Sequence, residues 1–146
     1  MAEAPQIAIC GAGTFVKTQY IPRLAEISNL VNLKAIWSRS EESARGAVEI
    51  ARKHFPGVEC KWGDQGLEEI IADNSILGVA VVDFSLKLLR AGKNVLQEKP
   101  AAATTSELET ALSSYKFIVA NTPNKPIWAV AENYRFEPAF VEKTND

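Results

Sequence analysis

The chain has few of the residues that bind transition metals or form covalent cross-links. Its 146 residues include one histidine, His54, and two cysteines, Cys10 and Cys60. A transition-metal site needs three or four such ligands close together, so no metal site is predicted. His54 falls in the last turn of a predicted helix, where an imidazole pairs with terminal carbonyl groups, and a structural role is expected for it.

Long apolar runs and an excess of basic residues are also missing. No apolar run approaches the roughly 20 residues of a membrane span. The first residues, Met-Ala-Glu-Ala-Pro-Gln, lack the basic start and apolar centre of a secretory signal. A net charge of −2 argues against a nucleic-acid footprint. We therefore expect a cytoplasmic protein that has neither a nucleic-acid nor a membrane partner.

The most informative stretch is 7–16, an apolar run that stops at Gly11–Ala12–Gly13 and passes at once into a helix-forming segment. In such a strand–turn–helix unit the first glycine allows the sharp turn, and the second lets the backbone approach a pyrophosphate. The helix behind it offers unpaired N–H groups to the phosphates. The alternative is a turn that only reverses the strand. Val16 stands where Gly or Ala is usual, and its side chain should push the helix slightly outward.

Apolar runs alternate with amphipathic segments, which favours an α/β fold: a doubly wound parallel sheet of the Rossmann type in three αβα layers. Strands are predicted at 7–10, 33–37, 58–62, 76–82, 95–97 and 127–131. A strand order of 3-2-1-4 places Cys10 and Cys60 two strand spacings apart, roughly 9–10 Å. That distance is too long for a disulfide, so both thiols are expected to be free.

The helices carry specific expectations. In the first, Val16, Tyr20, Leu24 and Ile27 form an apolar stripe that Pro22 should bend or shorten. Ser40 is predicted to cap the second helix. Thr105 or Ser106 is predicted to cap the last one, with Leu108, Ala111, Leu112 and Tyr115 facing inward. Only residues 83–94 connect strands four and five, which is about the minimum for a crossover. Either strand four is cut short to free a loop, or the helix that follows it has lost a turn or two.

The tip of the second strand bears on the choice of coenzyme. A carboxylate there binds the ribose 2′-hydroxyl of NAD, whereas an arginine accommodates the 2′-phosphate of NADP. This chain has Ser38–Arg39–Ser40, with no acid before Glu41. A guanidinium and two hydroxyls suit a phosphate, so NADP is predicted in preference to NAD. An exposed helix-capping turn is the alternative, and Arg39 argues against an adenosyl-dependent methyltransferase, which would place an acid there.

Three stretches together resemble the glucose–fructose oxidoreductase/inositol dehydrogenase (Gfo/Idh/MocA) family. They are the glycine turn, Leu96–Gln97–Glu98–Lys99–Pro100, and Glu132–Asn133–Tyr134–Arg135–Phe136 with Pro138. The Glu-Lys-Pro sequence is the most specific of the three. The resemblance implies an N-terminal NAD(P)-binding domain followed by a larger substrate domain, and hydride transfer to or from sugars, inositols, polyols or related aldehydes.

The resemblance also implies roles by position. Gly11, Ala12 and Gly13, with the amides of Thr14 and Phe15, should cradle the pyrophosphate. Lys99 should be the catalytic residue, reaching the nicotinamide ribose and the reacting hydroxyl of the substrate. Glu98 and Pro100 should shape that turn, through a Lys–Pro bond that is often cis in the family. Asn133 and Arg135 should lie near the cofactor end of the cleft. Without the resemblance, Lys99 would be read as a solvated lysine.

Measured against the family, the chain looks truncated. We expect a dinucleotide-binding domain at 1–126, and at 127–146 a last strand followed by the start of a missing substrate domain. The family's proton-transfer Asp and His belong to that missing domain, and a longer loop after strand four is also absent. Little or no turnover is therefore expected from this chain. The alternative function is a non-catalytic dinucleotide-binding or protein-interaction module, whose uncovered apolar surface would favour a homodimer.

Overall fold

The computed structural model describes residues 3–81 and 84–133. Its strands are β1 (Gln6–Cys10), β2 (Asn32–Ser38), β3 (Glu59–Trp62), β4 (Ile76–Val81), β5 (Asn94–Gln97) and β6 (Trp128–Val130). Its helices are α1 (Ile21–Glu26), α2 (Glu41–Ala51), α3 (Gly63–Ala72), α4 (Ser85–Arg90) and α5 (Thr105–Asn121). A π-helical turn, Val16–Tyr20, leads directly into α1.

The six described strands form one parallel sheet in the order β3-β2-β1-β4-β5-β6. This is the predicted doubly wound arrangement, in which the chain builds outward from β1 in both directions. Because β2 lies between β1 and β3, Cys10 and Cys60 are not on neighbouring strands, and both are free thiols as predicted. Burial raises the pKa of the Cys10 thiol to about 12.

Two apolar clusters cover opposite faces of the sheet, because alternate residues of a strand point to opposite sides. Ala8 and Cys10 of β1 belong to the cluster shared with α3, α4 and α5, whereas Ile9 belongs to the cluster shared with the π-helical turn, α1 and α2. The result is the predicted three-layer αβα fold, in which the carboxyl ends of the six described strands lie on the same side of the molecule.

Near the glycine turn the helix is irregular. Helical backbone runs from residue 14 to residue 26, but Ile21 N–H donates to the carbonyl of Val16, five residues back, which widens one turn. Pro22 lies in the first turn of α1, directly after this wide turn. A proline there has no N–H to donate and prevents a regular α-helical hydrogen bond. The predicted irregularity is therefore a π-helical turn.

The short crossover is accommodated in its helix. α4 spans six residues and begins only after Phe84, whose φ of 67° is left-handed and cannot continue a helix. Gly92 ends the segment with a φ of 78°. Compared with the predicted 83–92, the helix has lost part of a turn at its start. Residues 82 and 83 lie outside the described part of the chain.

Two expectations for the last helix were wrong. Its cap is Thr104, whose hydroxyl accepts from Glu107 N at 3.2 Å, and neither Thr105 nor Ser106 serves as the cap. Leu112, predicted to face inward, is 43% exposed, and among the described positions of α5 only Ile118 is buried. α5 covers the edge of the sheet near β5 and β6, where it shields less apolar surface than a central helix does.

Candidate functional site

The glycine turn lies at the carboxyl end of β1, at the centre of the sheet. Gly11 N–H donates to the carbonyl of Trp37 on β2 at 2.8 Å, and Gly11 has a φ of 142°, which disfavours a side chain. The amides of Thr14 and Phe15 lie in the first turn of the following helix, where N–H groups lack an intrahelical partner. The turn thus carries donors toward the edge where ligands bind in such sheets.

Gly13 gives the clearest test of whether a phosphate group fits this turn. A Cβ built at Gly13 would meet no protein atom within 4 Å. Its backbone has no positive φ that would require glycine. Neither protein packing nor backbone conformation therefore explains the glycine, whereas close approach of a pyrophosphate to the backbone does. The residues present fit a dinucleotide.

Val16 fills the position where the fingerprint usually has a smaller residue. Its Cγ2 would lie 3.9 Å from a Cβ on Gly11, and the side chain is buried in the apolar cluster beneath the turn. The valine packs over Gly11, and even a Cβ at Gly11 would stand in ordinary van der Waals contact with it.

Lys99 lies in the turn that follows β5, the strand between β4 and β6. Glu98 N–H donates to the carbonyl of Val81 at 2.8 Å, which continues the pairing of β4 with β5 up to the turn. The Lys99–Pro100 peptide is cis, as the resemblance implies. Lys99 Nζ donates to Asn133 Oδ1 at 3.3 Å and lies 4.0 Å from Glu132 Oε1. The structure thus brings Lys99 and Asn133 together.

Two adjoining cavities connect the glycine turn with Lys99. A small one of about 120 Å³ is lined by the turn and the ends of β1 and β4. A larger cleft of about 650 Å³ is lined by the Lys99 turn, β6 and the helix that follows the glycine turn. Phe15, Tyr20 and Glu98 line both cavities. The predicted pyrophosphate and catalytic residues therefore border neighbouring cavities that share three lining residues.

Tyr20 is a residue of this region that the sequence pattern concealed. Its ring packs against the apolar cluster, as its place in the predicted stripe requires, and meets Phe15 edge to face at 5.7 Å. Its hydroxyl, however, donates to Glu98 Oε1 across the cleft floor. Burial, together with the hydrogen bond and negative charge of Glu98, raises the pKa of Tyr20. A helix period identifies which side of a helix is apolar, but not what the far end of a tyrosine reaches.

Gln97 supports the Lys99 turn from the other face of the sheet. It is 7% exposed, and its Oε1 accepts from Ser85 Oγ at 2.8 Å and from Trp128 Nε1 at 2.9 Å. Its Nε2 donates to the carbonyl of Ala101 at 3.0 Å, just beyond the turn. One buried amide thus ties α4, β5 and β6 to the segment that holds Lys99. A single glutamine in an apolar stretch gives no sequence signal for this role.

The predicted phosphate-binding residues lie at the end of β2, beside the glycine turn. Ser38 ends the strand, Arg39 is exposed, and Ser40 caps α2 by accepting from Ser43 N at 3.4 Å. They do not line either cavity described above. Arg45, which the sequence reasoning did not select, lies with its guanidinium 5.9 Å from the ring of Trp62, the strand partner of Ser38. Arg45 also pairs with Glu41 at 2.5 Å.

The remaining sequence predictions concern the C-terminal residues, metal sites and membrane spans. Arg135 and the predicted start of a substrate domain lie outside the described residues. Within residues 3–81 and 84–133, no group of three or more His, Cys, Asp or Glu side chains is arranged to hold a metal ion. In the same ranges, no helix has the length and apolar character needed to cross a bilayer.

Comparison with known proteins identifies the family. The model of the Gfo/Idh/MocA family, an oxidoreductase family with an NAD-binding Rossmann fold, matches residues 6–116. The chain belongs to this family. The dehydrogenase FPY6 of Fusarium mangiferae is 37% identical to this chain over 142 residues, which cover 89% of this chain and 38% of the relative.

Solved structures of other proteins share the fold. An oxidoreductase from Thermotoga maritima aligns with a TM-score of 0.74 and 22% identity, covering 98% of this chain and 42% of its own. Scyllo-inositol dehydrogenase from Lactobacillus casei, with bound NAD(H) and scyllo-inositol, aligns with a TM-score of 0.72 and 20% identity. That alignment covers 98% of this chain and 40% of the dehydrogenase. A 3-ketoreductase variant from Actinomadura kijaniata, in complex with TDP-benzene and NADP, aligns with a TM-score of 0.75 and 19% identity. That alignment covers 98% of this chain and 42% of the ketoreductase. The chain spans about two fifths of the length of these relatives.

Proposed function

We propose that this chain is the NADP-binding domain of an oxidoreductase that acts on CH–OH groups of sugars, polyols or related aldehydes. Within it, the glycine turn would hold the coenzyme pyrophosphate, and Lys99 would be the catalytic residue contacting the nicotinamide ribose and the reacting hydroxyl. When bound, the coenzyme would supply the hydride acceptor or donor, and the chain would supply binding and orientation.

One observation carries this proposal. The open backbone at Gly13 and the ammonium group of Lys99 border adjoining cavities, although they are 86 positions apart in the sequence. A lysine there can hydrogen-bond a substrate hydroxyl and stabilise negative charge that develops on its oxygen. Asn133 holds the Lys99 ammonium at 3.3 Å, which restricts its position.

The preference for NADP is supported by the tip of β2. Ser38 and Arg39 offer a hydroxyl and a guanidinium beside the glycine turn, and the first acid, Glu41, is occupied by Arg45. A carboxylate held by a guanidinium is poorly placed to accept from a ribose hydroxyl. A 2′-phosphate would instead find at least one planar guanidinium suited to it.

Titration with reduced coenzymes tests this function. NADPH should quench the fluorescence of Trp37, Trp62 and Trp128 with a lower Kd than NADH. The Arg39→Glu substitution should weaken the binding of NADPH much more than the binding of NADH. Arg52→Glu, which introduces the same charge at the far end of α2, is the control. If Arg39→Glu lowered the affinity for both coenzymes equally, the proposed contact with the 2′-phosphate would be contradicted. Failure of the unaltered chain to bind either coenzyme would contradict the function as a whole.

A non-catalytic interaction module is the second candidate, and the exposed apolar residues of the cleft favour it. Phe15 is 57% exposed and Leu96 39% exposed, and both line the larger cleft. Exposed apolar surface of this kind promotes association. If the chain binds no coenzyme yet forms a defined dimer in gel filtration, the second candidate replaces the first.

A further inference from the structure

Positive and negative groups in the larger cleft differ in how they are paired. Among the described residues, two cations line it, and each lies beside a carboxylate. Lys99 Nζ is 4.0 Å from Glu132 Oε1, and Arg23 Nη1 donates to Glu26 Oε1 at 3.0 Å. Glu98 differs from these acids, because the hydrogen-bond donor described for its carboxylate is the hydroxyl of Tyr20.

A phenol holds a carboxylate without cancelling its charge. Burial and the hydrogen bond to Glu98 raise the pKa of Tyr20, so its hydroxyl stays protonated at neutral pH and continues to donate. Glu98 is itself half-buried, and its backbone is fixed by the hydrogen bond to Val81. The carboxylate therefore has a defined position at the boundary of both cavities.

Such a charge distinguishes the two redox states of a nicotinamide. The oxidised ring carries a positive charge that is lost when the ring accepts a hydride. A fixed negative charge nearby attracts the oxidised ring and has little effect on the reduced one. At the edge of a protein this attraction is substantial, because the effective dielectric constant is far below that of water.

We propose that Glu98, positioned in the cleft by Tyr20, determines the redox preference of this domain by stabilising the oxidised coenzyme relative to the reduced one. The inference rests on the proposed coenzyme binding and deepens it. Glu98 is thus more than a shaping residue of the Lys99 turn. Tyr20 acts through Glu98 and is a positioning residue.

The ratio of two dissociation constants measures this effect. Calorimetric titration of the 146-residue chain with NADP+ and with NADPH gives Kd for each, and the ratio is unaffected by the fraction of protein that is folded. In Glu98→Gln the ratio Kd(NADP+)/Kd(NADPH) should rise at least about fivefold. In Glu98→Asp, which keeps the charge, it should stay within about twofold of the unaltered value.

Controls separate this inference from the proposed function. Glu109→Gln removes an exposed carboxylate on α5, away from the cleft, and should leave the ratio unchanged. If Glu98→Gln does not fold, Glu98→Ala serves as the neutral variant. An unchanged ratio in the neutral variant would overturn the role of Glu98 while leaving coenzyme binding intact. If the unaltered chain bound neither coenzyme, both the function and this inference would be rejected.

Discussion

Single residues decide what this cleft can bind. Gly13 leaves open backbone where a pyrophosphate would rest, and Lys99 contributes an ammonium in the adjoining cavity. The two act through different properties: the glycine by lacking a side chain, the lysine by its charge and donors. A substitution at either position should therefore affect ligand binding far more than folding.

Gly13→Ala is expected to weaken coenzyme binding at least about tenfold, because the new methyl group occupies the space needed by the pyrophosphate. The free energy of unfolding should change by less than about 1 kcal/mol, since the Cβ meets no protein atom. Gly57→Ala is the matched control, because a Cβ there also meets nothing within 4 Å. Unchanged affinity in Gly13→Ala, measured by fluorescence titration alongside urea unfolding, would refute the assigned phosphate contact.

Whole elements are fixed by a few hydrogen bonds at their ends. Thr104 caps α5, and Glu107 Oε2 accepts in return from Ala103 N at 3.0 Å. At the opposite edge of the sheet, Asp73 joins the end of α3 to β2 and to the turn before β4. Such contacts set where elements begin, which in turn sets where the cleft residues lie.

Thr104→Ala should lower the free energy of unfolding by about 1 kcal/mol, because the amide of Glu107 loses its acceptor. Thr105→Ala tests the neighbouring position that the sequence favoured, and should change stability by less than about 0.5 kcal/mol. Urea denaturation followed by circular dichroism measures both variants. A larger loss in Thr105→Ala would show that the helix begins one residue later than described.

Asp73 gives a prediction that depends on pH. Lys34 Nζ lies 2.6 Å from Asp73 Oδ2, and Ser75 N–H and Oγ–H donate to Oδ1 at 2.9 and 2.7 Å. These contacts, first of all the one with Lys34, hold the pKa of Asp73 well below its usual value. The folded protein thus binds this proton more weakly than the unfolded chain, so the stabilisation is present above a pH of about 4 and disappears as the pH falls.

Asp73→Asn should accordingly reduce stability by about 1 kcal/mol at neutral pH, and the difference from the unaltered chain should narrow below a pH of about 4. Glu26→Gln removes an exposed partner of Arg23 and should cost less than about 0.5 kcal/mol. Thermal unfolding across a pH series measures both. A difference for Asp73→Asn that is constant with pH would show that its carboxylate does not titrate with folding.

At the scale of the whole molecule, the described residues leave the larger cleft open. The Lys99 turn, β6 and the helix after the glycine turn border this cleft, and Phe15, Leu96 and Val130 leave apolar side chains exposed there. Hydride transfer requires the substrate to be held against the nicotinamide with water excluded. The described residues border the cleft without enclosing it.

We therefore expect binding without turnover. The 146-residue chain should bind coenzyme but show no sustained oxidation of NADPH with a panel of sugars, ketoses and inositol-derived ketones, followed by the loss of NADPH absorbance. The same assays with a Lys99→Ala variant separate slow catalysis by the site from background oxidation of NADPH. Turnover that depends on Lys99 would contradict this expectation.

The sequence by itself determined the strands, the glycine turn and the Ser40 cap, because each depends on backbone conformation or periodicity within a few neighbouring residues. The order 3-2-1-4 followed from the doubly wound fold class and not from a local pattern. The tertiary structure alone decided what lies across the cleft. Tyr20 and Glu98 are 78 positions apart, and Gln97 meets Trp128 and Ser85 from three elements. Those contacts depend on the positions of elements that are remote in sequence, and no local pattern encodes the distance between two such side chains.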